Sequence, residues 1–309
     1  MNWNKSNLLS MRSAFADTIF DLAKDDPNLY VVSVGLRPSV MMDKFAARYK
    51  SRFIEVGVAE NNAAGIAAGL AKSGKNVFLC TYACFSPGIN LATIKQSICE
   101  NNLPVKIIGF HGGLLTGELG ASHQMLEDVA LMRAMPNMQV FAPLDAPETV
   151  AITRTIALST CPSYLRLVRP STPAISTSTK FSIGKSPIIK SGSDVTVLGY
   201  GPILLQTLNF EPSLEIINCS SIKPLDSETI LKSIKKTGRC LVIEDHQKIG
   251  GLGDAIANLI LSSGLKCKFI ALGVNNQFGQ SAKDYLKLSD HYGLGQKSII
   301  CSNIMTTFF

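Results

Sequence analysis

The first half of the chain alternates short apolar runs with segments whose apolar residues recur at helical spacing. Residues 30–34, 76–80 and Val105–Phe110 are short, apolar and rich in strand-forming side chains. Residues 8–22 and 60–72 carry the helical period instead. Because strands that alternate with helices call for a parallel sheet covered on both faces, the pattern predicts an α/β fold.

A break in this pattern divides the chain. Residues 170–192 are rich in Ser, Thr, Pro and Lys, and their prolines interrupt any regular period. Strand-like runs and helical segments then resume. We therefore predict a first domain over residues 5–172, a linker over residues 173–192 and a second, smaller domain over residues 193–309.

Composition narrows the class of protein. The 309 residues are 46% hydrophobic and 17% charged, and the net charge of +7 is spread along the chain, so we expect no nucleic-acid partner and rather a small anionic substrate. The eight cysteines lack metal-site spacing, which indicates reduced thiols. No apolar run is long enough to span a membrane and the N-terminus does not resemble a signal peptide, so we expect a cytoplasmic protein without a membrane partner.

The most informative segment is the run over residues 111–124, which holds four glycines and two of the four histidines, His111 and His123. It has neither a helical nor an alternating period, and glycine weakens regular elements. A loop of this kind after a buried strand is where α/β proteins place their chemistry. The alternative is two surface histidines that flank a flexible turn.

Two further candidates follow predicted strands. Glu60 stands at the head of a helix made mostly of Gly and Ala, after an apolar strand. Its commonest role would be to stabilise the helix dipole, but the position at the carboxyl edge of a sheet favours a ligand. Tyr82 and Phe85 come after the next strand, where they are either core residues or flat faces for a heteroaromatic ring.

These residues carry a family resemblance that extends over nearly the whole chain. It rests on the Glu60 helix, on the long run over residues 117–138, which begins GELGASHQ, and on residues 244–247 and 250–253. The chain resembles the C-terminal subunit of a split, two-chain transketolase that depends on thiamine diphosphate. The resemblance implies a parallel-sheet pyrimidine-binding domain, followed by a smaller α/β transketolase C-terminal domain.

The resemblance also implies roles for individual residues at the cofactor. Glu60 matches the glutamate that hydrogen-bonds N1′ of the aminopyrimidine, and Tyr82 and Phe85 match the aromatic residues that pack against that ring. His123 matches a histidine near the reacting donor carbon, so Glu60 and His123 are the expected catalytic residues. A carboxyl group that shares a proton with a ring nitrogen avoids a bare buried charge.

Four more residues match positions that hold the sugar phosphate, namely Arg12, Ser39, His111 and Arg169. Two arginines with a hydroxyl and a histidine suit a dianion. Without the resemblance, Arg12 would be an ordinary helix-surface residue and Ser39 an ordinary turn residue.

Two positions depart from the family pattern. Leu119 stands where most transketolases have an Asp that binds the C2 hydroxyl of the acceptor, and a leucine accepts no hydrogen bond. Because a missing hydrogen bond discriminates strongly between substrates, we hypothesise an atypical acceptor or donor sugar. Gly35 replaces an Asp common near the thiazolium ring.

The Gly-Asp-Gly motif that binds the cofactor's diphosphate and its Mg²⁺ or Ca²⁺ is absent from the sequence. We therefore expect no metal ligand in this chain. The resemblance implies a partner, an N-terminal transketolase subunit that carries the motif and the metal, in an α2β2 heterotetramer.

The leading hypothesis is a subunit that transfers a two-carbon ketol unit between phosphorylated sugars. A β-type subunit of a 2-oxo acid dehydrogenase or of a pyruvate-decarboxylating synthase has the same architecture and is the first alternative. A non-catalytic transketolase-like paralogue is the second, suggested by Leu119 and Gly35 and opposed by Glu60.

Overall fold

The computed structural model describes residues 7–209 and 213–296. The elements of the first half are β1 (Leu8–Leu9), α1 (Met11–Asp25), β2 (Leu29–Ser33), α2 (Asp43–Arg48), β3 (Phe53–Glu55), α3 (Glu60–Lys72), β4 (Asn76–Tyr82), α4 (Leu91–Thr93, continued by a π-helical segment, Ile94–Cys99), β5 (Val105–Phe110), a 3-10 segment (Leu114–Leu119), α5 (Asp128–Ala134), β6 (Gln139–Phe141), α6 (Ala146–Ala157) and β7 (Ser163–Arg166).

The second half is built in the same way. Its elements are β8 (Thr172–Pro173), β9 (Ile188–Lys190), β10 (Val195–Gly199), a 3-10 segment (Pro202–Thr207), β11 (Leu214–Asn218), β12 (Ser221–Lys223), α7 (Ser227–Thr237), β13 (Arg239–Gln247), α8 (Leu252–Ser263), β14 (Lys268–Val274) and α9 (Tyr285–His291). Within the described ranges, no helix is both long and apolar enough to cross a bilayer.

The first sheet has seven strands in the order β12-β6-β7-β5-β4-β2-β3, all parallel except β12. Both of its faces are buried, as the apolar strands predict. In β4, for example, Val77 and Leu79 join one core, whereas Phe78 and Cys80 join the core on the opposite face. The predicted alternation of strands and helices is therefore the one that the structure has.

The second sheet has the order β14-β13-β10-β11-β9, with only β9 antiparallel. The boundary between the two domains is less simple than the sequence pattern predicts. Strand β9 lies inside the segment predicted as a linker, and β12 leaves the second half of the chain to pair with β6 of the first sheet. The two halves therefore share a continuous boundary.

Helix α1 also begins later than its apolar period predicts. Ser10 caps it, because its Oγ accepts a hydrogen bond from the Ser13 N–H at 3.2 Å. Before the cap, β1 pairs antiparallel with β8, so the start and the end of the predicted first domain lie side by side. This cap fixes Arg12 in the first turn of α1.

One buried guanidinium joins the two halves. Arg166 ends β7 and is 3% exposed. Its Nε donates to Asp128 Oδ2 at 2.9 Å and its Nη1 donates to Asp245 Oδ1 at 2.6 Å. Burial alone would lower the pKa of Arg166, but the two carboxylates raise it well above its usual value. Asp128 begins α5 and Asp245 lies in β13, so the guanidinium holds α5 against the second sheet.

Further polar contacts fix α5 from the same side. The Ala130 N–H donates to His246 Nε2 at 3.3 Å, and Arg133 Nη1 donates to the carbonyl oxygens of Gly250 and Gly251. The imidazole of His246 thus acts as a structural acceptor between the two halves of the chain.

We predict that Arg166→Met destabilises the protein strongly, because it leaves two carboxylates buried without their cation. The expected loss in the free energy of unfolding is about 3–5 kcal/mol, measured by urea denaturation at pH 7.5. Lys44→Met is the control, since Lys44 pairs with Asp17 at 3.4 Å in an exposed ion pair and its removal should cost less than about 1 kcal/mol. Equal losses in both variants would contradict the assigned importance of Arg166.

Candidate active site

The predicted site residues follow four strands of the first sheet, of which β7, β5 and β4 are adjacent and β3 is separated from β4 by β2. Glu60 comes after β3, Tyr82 ends β4, His111 follows β5, and Arg169 lies three residues beyond β7. These strands are parallel, so their carboxyl ends share an edge, which is where ligands bind in α/β sheets. The topology alone therefore brings together side chains that are more than a hundred positions apart.

Glu60 occupies the first turn of α3 and is 7% exposed. Its carbonyl oxygen accepts a hydrogen bond from Asn90 Nδ2 at 3.0 Å, which fixes the start of the helix. Its carboxylate, in contrast, has no hydrogen-bond partner among the described residues. Burial raises the pKa of the nearby Cys84 thiol to about 12, and the charge of Glu60 contributes to this rise. A buried acid without a partner is suited to bind a polar group of a ligand.

Aromatic residues lie on both sides of Cys84, the residue whose thiol senses the charge of Glu60. The rings of Tyr82 and Phe85 are stacked, with centroids 5.7 Å apart and planes at 12°. The His123 ring meets both nearly edge-on, with centroid distances of 6.2 Å and 5.8 Å. His111 packs against Tyr82 with centroids 4.0 Å apart. The two histidines of the glycine-rich loop are thus brought together with the aromatic pair.

The predicted phosphate-binding residues also lie together. Arg12 Nη1 donates to the carbonyl oxygen of Ser39 at 3.0 Å. Burial lowers the pKa of Arg12, and the nearby charge of Arg169 lowers it further. Within the residues that the structure describes, Arg12 Nε and His111 Nδ1 are buried without a hydrogen-bond partner. Two mutually repelling cations and two unpartnered nitrogens form a local surplus of positive charge and of hydrogen-bonding capacity.

His111 is neutral in this surrounding. Burial lowers its pKa to about 3, and the positive charges of Arg12 and Arg169 contribute. Its backbone has φ +60°, a left-handed conformation that His tolerates better than most residues. The imidazole therefore offers hydrogen bonds to a ligand without adding charge.

Glu118 belongs to this site, although no role for it was predicted from the sequence. Its Oε1 forms an ion pair with Arg169 Nη1 at 2.8 Å. Its position in the glycine-rich run was the feature of the sequence that could have indicated a role. Only the fold shows that the cation it pairs with is Arg169. Leu119, beside it, is 36% exposed and makes no polar side-chain contact.

A segment of the second half covers this loop. Gln124 Nε2 donates to the carbonyl oxygen of Gln280 at 3.0 Å. Gly120 has φ +67°, and a Cβ there would lie 2.4 Å from Ser281 Oγ. The loop conformation thus depends on residues that lie beyond the predicted linker.

The donor set fits the aminopyrimidine side of thiamine diphosphate. A carboxylate without a hydrogen-bond partner, on a buried residue at the same sheet edge as stacked rings, suits an aromatic base with a ring nitrogen. In the described part of the chain, no group of three or more His, Cys, Asp or Glu side chains could hold a metal ion.

The fold is that of an α/β protein with two sheets, and its candidate ligand site lies at the carboxyl edge of the first sheet. Family models match both parts, the pyrimidine-binding domain of transketolase at residues 7–174 and the transketolase C-terminal domain at residues 184–299. The chain belongs to the transketolase family. This confirms the resemblance and the predicted fold class.

Similar proteins cover almost the same length. A protein of Methanocaldococcus jannaschii, provisionally described as a transketolase C-terminal section, is 40% identical over 94% of this chain and 93% of its own. One of the subunits of the apulose-4-phosphate transketolase of Phocaeicola vulgatus is 32% identical over 95% of this chain and 96% of its own. A solved split-gene transketolase, described as an inactive β4 tetramer, has a TM-score of 0.86 and 34% identity, over 94% of this chain and 96% of that chain.

We predict that His111 makes folding stability depend on pH. The unfolded chain binds a proton on this residue near pH 6.5, whereas the folded chain does so only near pH 3. Protonation therefore favours the unfolded state, and the free energy of unfolding decreases as the pH falls below 6.5. Between pH 7.5 and pH 5.0 the wild type should lose about 2 kcal/mol more stability than His111→Asn.

Urea denaturation of both proteins at the two pH values measures this difference. His291→Asn is the matched control, since His291 is exposed on α9, and it should keep the pH dependence of the wild type. Parallel losses in wild type and His111→Asn would contradict the prediction.

Proposed function

We propose that this chain is one subunit of a transketolase-type enzyme, which transfers a two-carbon ketol unit between phosphorylated sugars with thiamine diphosphate. The main support is one juxtaposition, in which the unpartnered Glu60 carboxylate and the stacked Tyr82 and Phe85 share a sheet edge with the Arg12 and Arg169 cations. The first group suits a cofactor ring, and the second suits a phosphate.

Thiamine diphosphate, when bound, supplies the electron sink that lets a ketose break its carbon–carbon bond. In the proposed enzyme Glu60 holds a proton at the ring nitrogen of the aminopyrimidine, and Tyr82 and Phe85 pack against that ring. His123 stands at the edge of the same aromatic pair, so we assign it the movement of protons at the hydroxyl and carbonyl oxygens of the donor.

The substrate phosphate is assigned to Arg12, Ser39, His111 and Arg169. The two guanidiniums supply positive charge, and the neutral His111 supplies a hydrogen bond through its unpartnered Nδ1 or its other ring nitrogen. A dianion between the arginines would relieve their mutual repulsion, which is a strong reason for phosphorylated rather than neutral sugars.

We further propose that the chain acts only with a partner subunit. The sequence has no Gly-Asp-Gly motif, and the solved β4 tetramer of a split-gene transketolase is described as inactive. The partner would be an N-terminal transketolase subunit that binds the diphosphate and a Mg²⁺ or Ca²⁺ ion, in an α2β2 assembly.

Leu119 supports an atypical sugar substrate. Its exposed aliphatic side chain accepts no hydrogen bond from a sugar hydroxyl. The Phocaeicola vulgatus relative is named for apulose 4-phosphate rather than for xylulose 5-phosphate or ribose 5-phosphate. We therefore propose that the acceptor or donor lacks or inverts the hydroxyl that an Asp would bind at this position.

The catalytic assignment predicts that activity requires both subunits and Glu60. With the partner chain added, turnover should appear, and Glu60→Gln should lower kcat by about 100-fold or more, because an amide cannot take up the proton. The control is Glu100→Gln, because Glu100 is exposed. Glu55 is less suitable, since its carboxylate accepts two backbone hydrogen bonds. Turnover by this chain alone, or unchanged kcat in Glu60→Gln, would contradict the proposal.

The specificity assignment predicts poor turnover of xylulose 5-phosphate with ribose 5-phosphate by the reconstituted complex. Leu119→Asp should raise kcat/KM for ribose 5-phosphate by about tenfold or more, because a charged acceptor for a hydroxyl contributes about 1.5–3 kcal/mol. Leu119→Asn supplies a neutral control of similar size. Full turnover of the ordinary sugar pair by the wild type would contradict this assignment.

A further inference from the structure

The ion pair between Arg169 and Glu118 lies within the proposed phosphate site. Glu118 Oε1 is 2.8 Å from Arg169 Nη1, and their side chains are 48% and 35% exposed. In the described part of the chain, Glu118 is the only carboxylate that pairs with either arginine of the site. It therefore occupies a guanidinium that the proposed function assigns to the substrate.

The charges around this pair make Glu118 and a substrate phosphate compete for Arg169. Burial lowers the pKa of Arg12, and the positive charge of Arg169 lowers it further, so the two arginines repel each other, whereas His111 is neutral. A single carboxylate offsets one of the two positive charges. A phosphate dianion can offset both, and a phosphate and a carboxylate close to the same guanidinium would repel each other.

The Glu118 side chain can leave Arg169 by rotation about its own bonds, without a change in the backbone. Gly117 and Gly120, on either side of Glu118 and Leu119, have φ +66° and +67° and pack against the segment that holds Ser281 and Ala282. Among the described residues, the Glu118 side chain makes no hydrogen bond other than the one with Arg169, and it is 48% exposed. An ion pair of such exposure contributes little stability, so its loss to a dianion costs little.

We propose that Glu118 is a specificity-determining residue that competes with the substrate's phosphate for Arg169. This inference rests on the proposed function, because it takes the arginine pair as the phosphate site. In this arrangement a neutral or singly charged sugar leaves the ion pair closed, whereas a phosphate dianion opens it. Glu118 thus lowers the affinity for phosphate, and it also prevents ligands with less charge than a dianion from binding to Arg169.

Binding of inorganic phosphate to the full chain tests this directly, without the partner subunit. Isothermal titration at pH 8, where phosphate is mainly a dianion, compares the wild type with Glu118→Gln and Arg169→Gln. Glu118→Gln should bind phosphate about threefold to tenfold more tightly, and Arg169→Gln should bind it much more weakly.

The matched control is Glu100→Gln, which makes the same change in net charge at an exposed residue just before β5, at the sheet edge opposite the site. It should bind phosphate as the wild type does. Equal or weaker binding by Glu118→Gln, with binding lost in Arg169→Gln, would overturn the role of Glu118 and leave the phosphate site intact. Absent binding in all variants, or binding that ignores Arg169, would overturn the phosphate site itself and the role of Glu118 with it.

Discussion

The architecture of the site depends on one buried guanidinium, that of Arg166. It is held by a carboxylate from each half of the chain, Asp128 and Asp245, at 2.9 Å and 2.6 Å. Buried charges are costly unless they are paired, so the folded chain is much more stable when these three residues meet. Their meeting places α5 against the second sheet. The glycine-rich loop runs directly into α5, so its far end is fixed by the same ion pairs.

This constraint explains why the loop is rich in glycine. A Cβ on Gly113 would lie 2.1 Å from Asp245 Oδ2, and one on Gly120 would lie 2.4 Å from Ser281 Oγ. Both neighbours belong to the second half of the chain, which therefore shapes the loop that carries His111 and His123. The glycines permit close packing rather than free movement at these positions. A role for the smaller domain follows, namely to hold one wall of the candidate active site.

The sequence predicts those features that are local. The period of residues 60–72 and the apolar run of β5 specify a helix and a strand without reference to the rest of the chain. The family resemblance predicts the candidate residues of the first sheet edge. Neither source reveals the ion pair of Arg166 with Asp245, because it joins residues 79 positions apart and each of them alone resembles a surface charge. The same limit applies to β12, whose place in the first sheet depends on tertiary packing.

In the proposed enzyme, recognition of the sugar phosphate separates into a part that depends on charge and a part that depends on the geometry of the hydroxyls. The first uses Arg12 and Arg169, which come from α1 and from the segment after β7, and both elements are anchored in the first sheet's core. The second lies at Leu119, on an exposed turn between two glycines. In the proposed enzyme, a substitution on that turn would alter which hydroxyls are bound without a change in the core. With the proposed phosphate site on anchored elements and the proposed sugar contact on this turn, the sugar could change while the requirement for a phosphate stays.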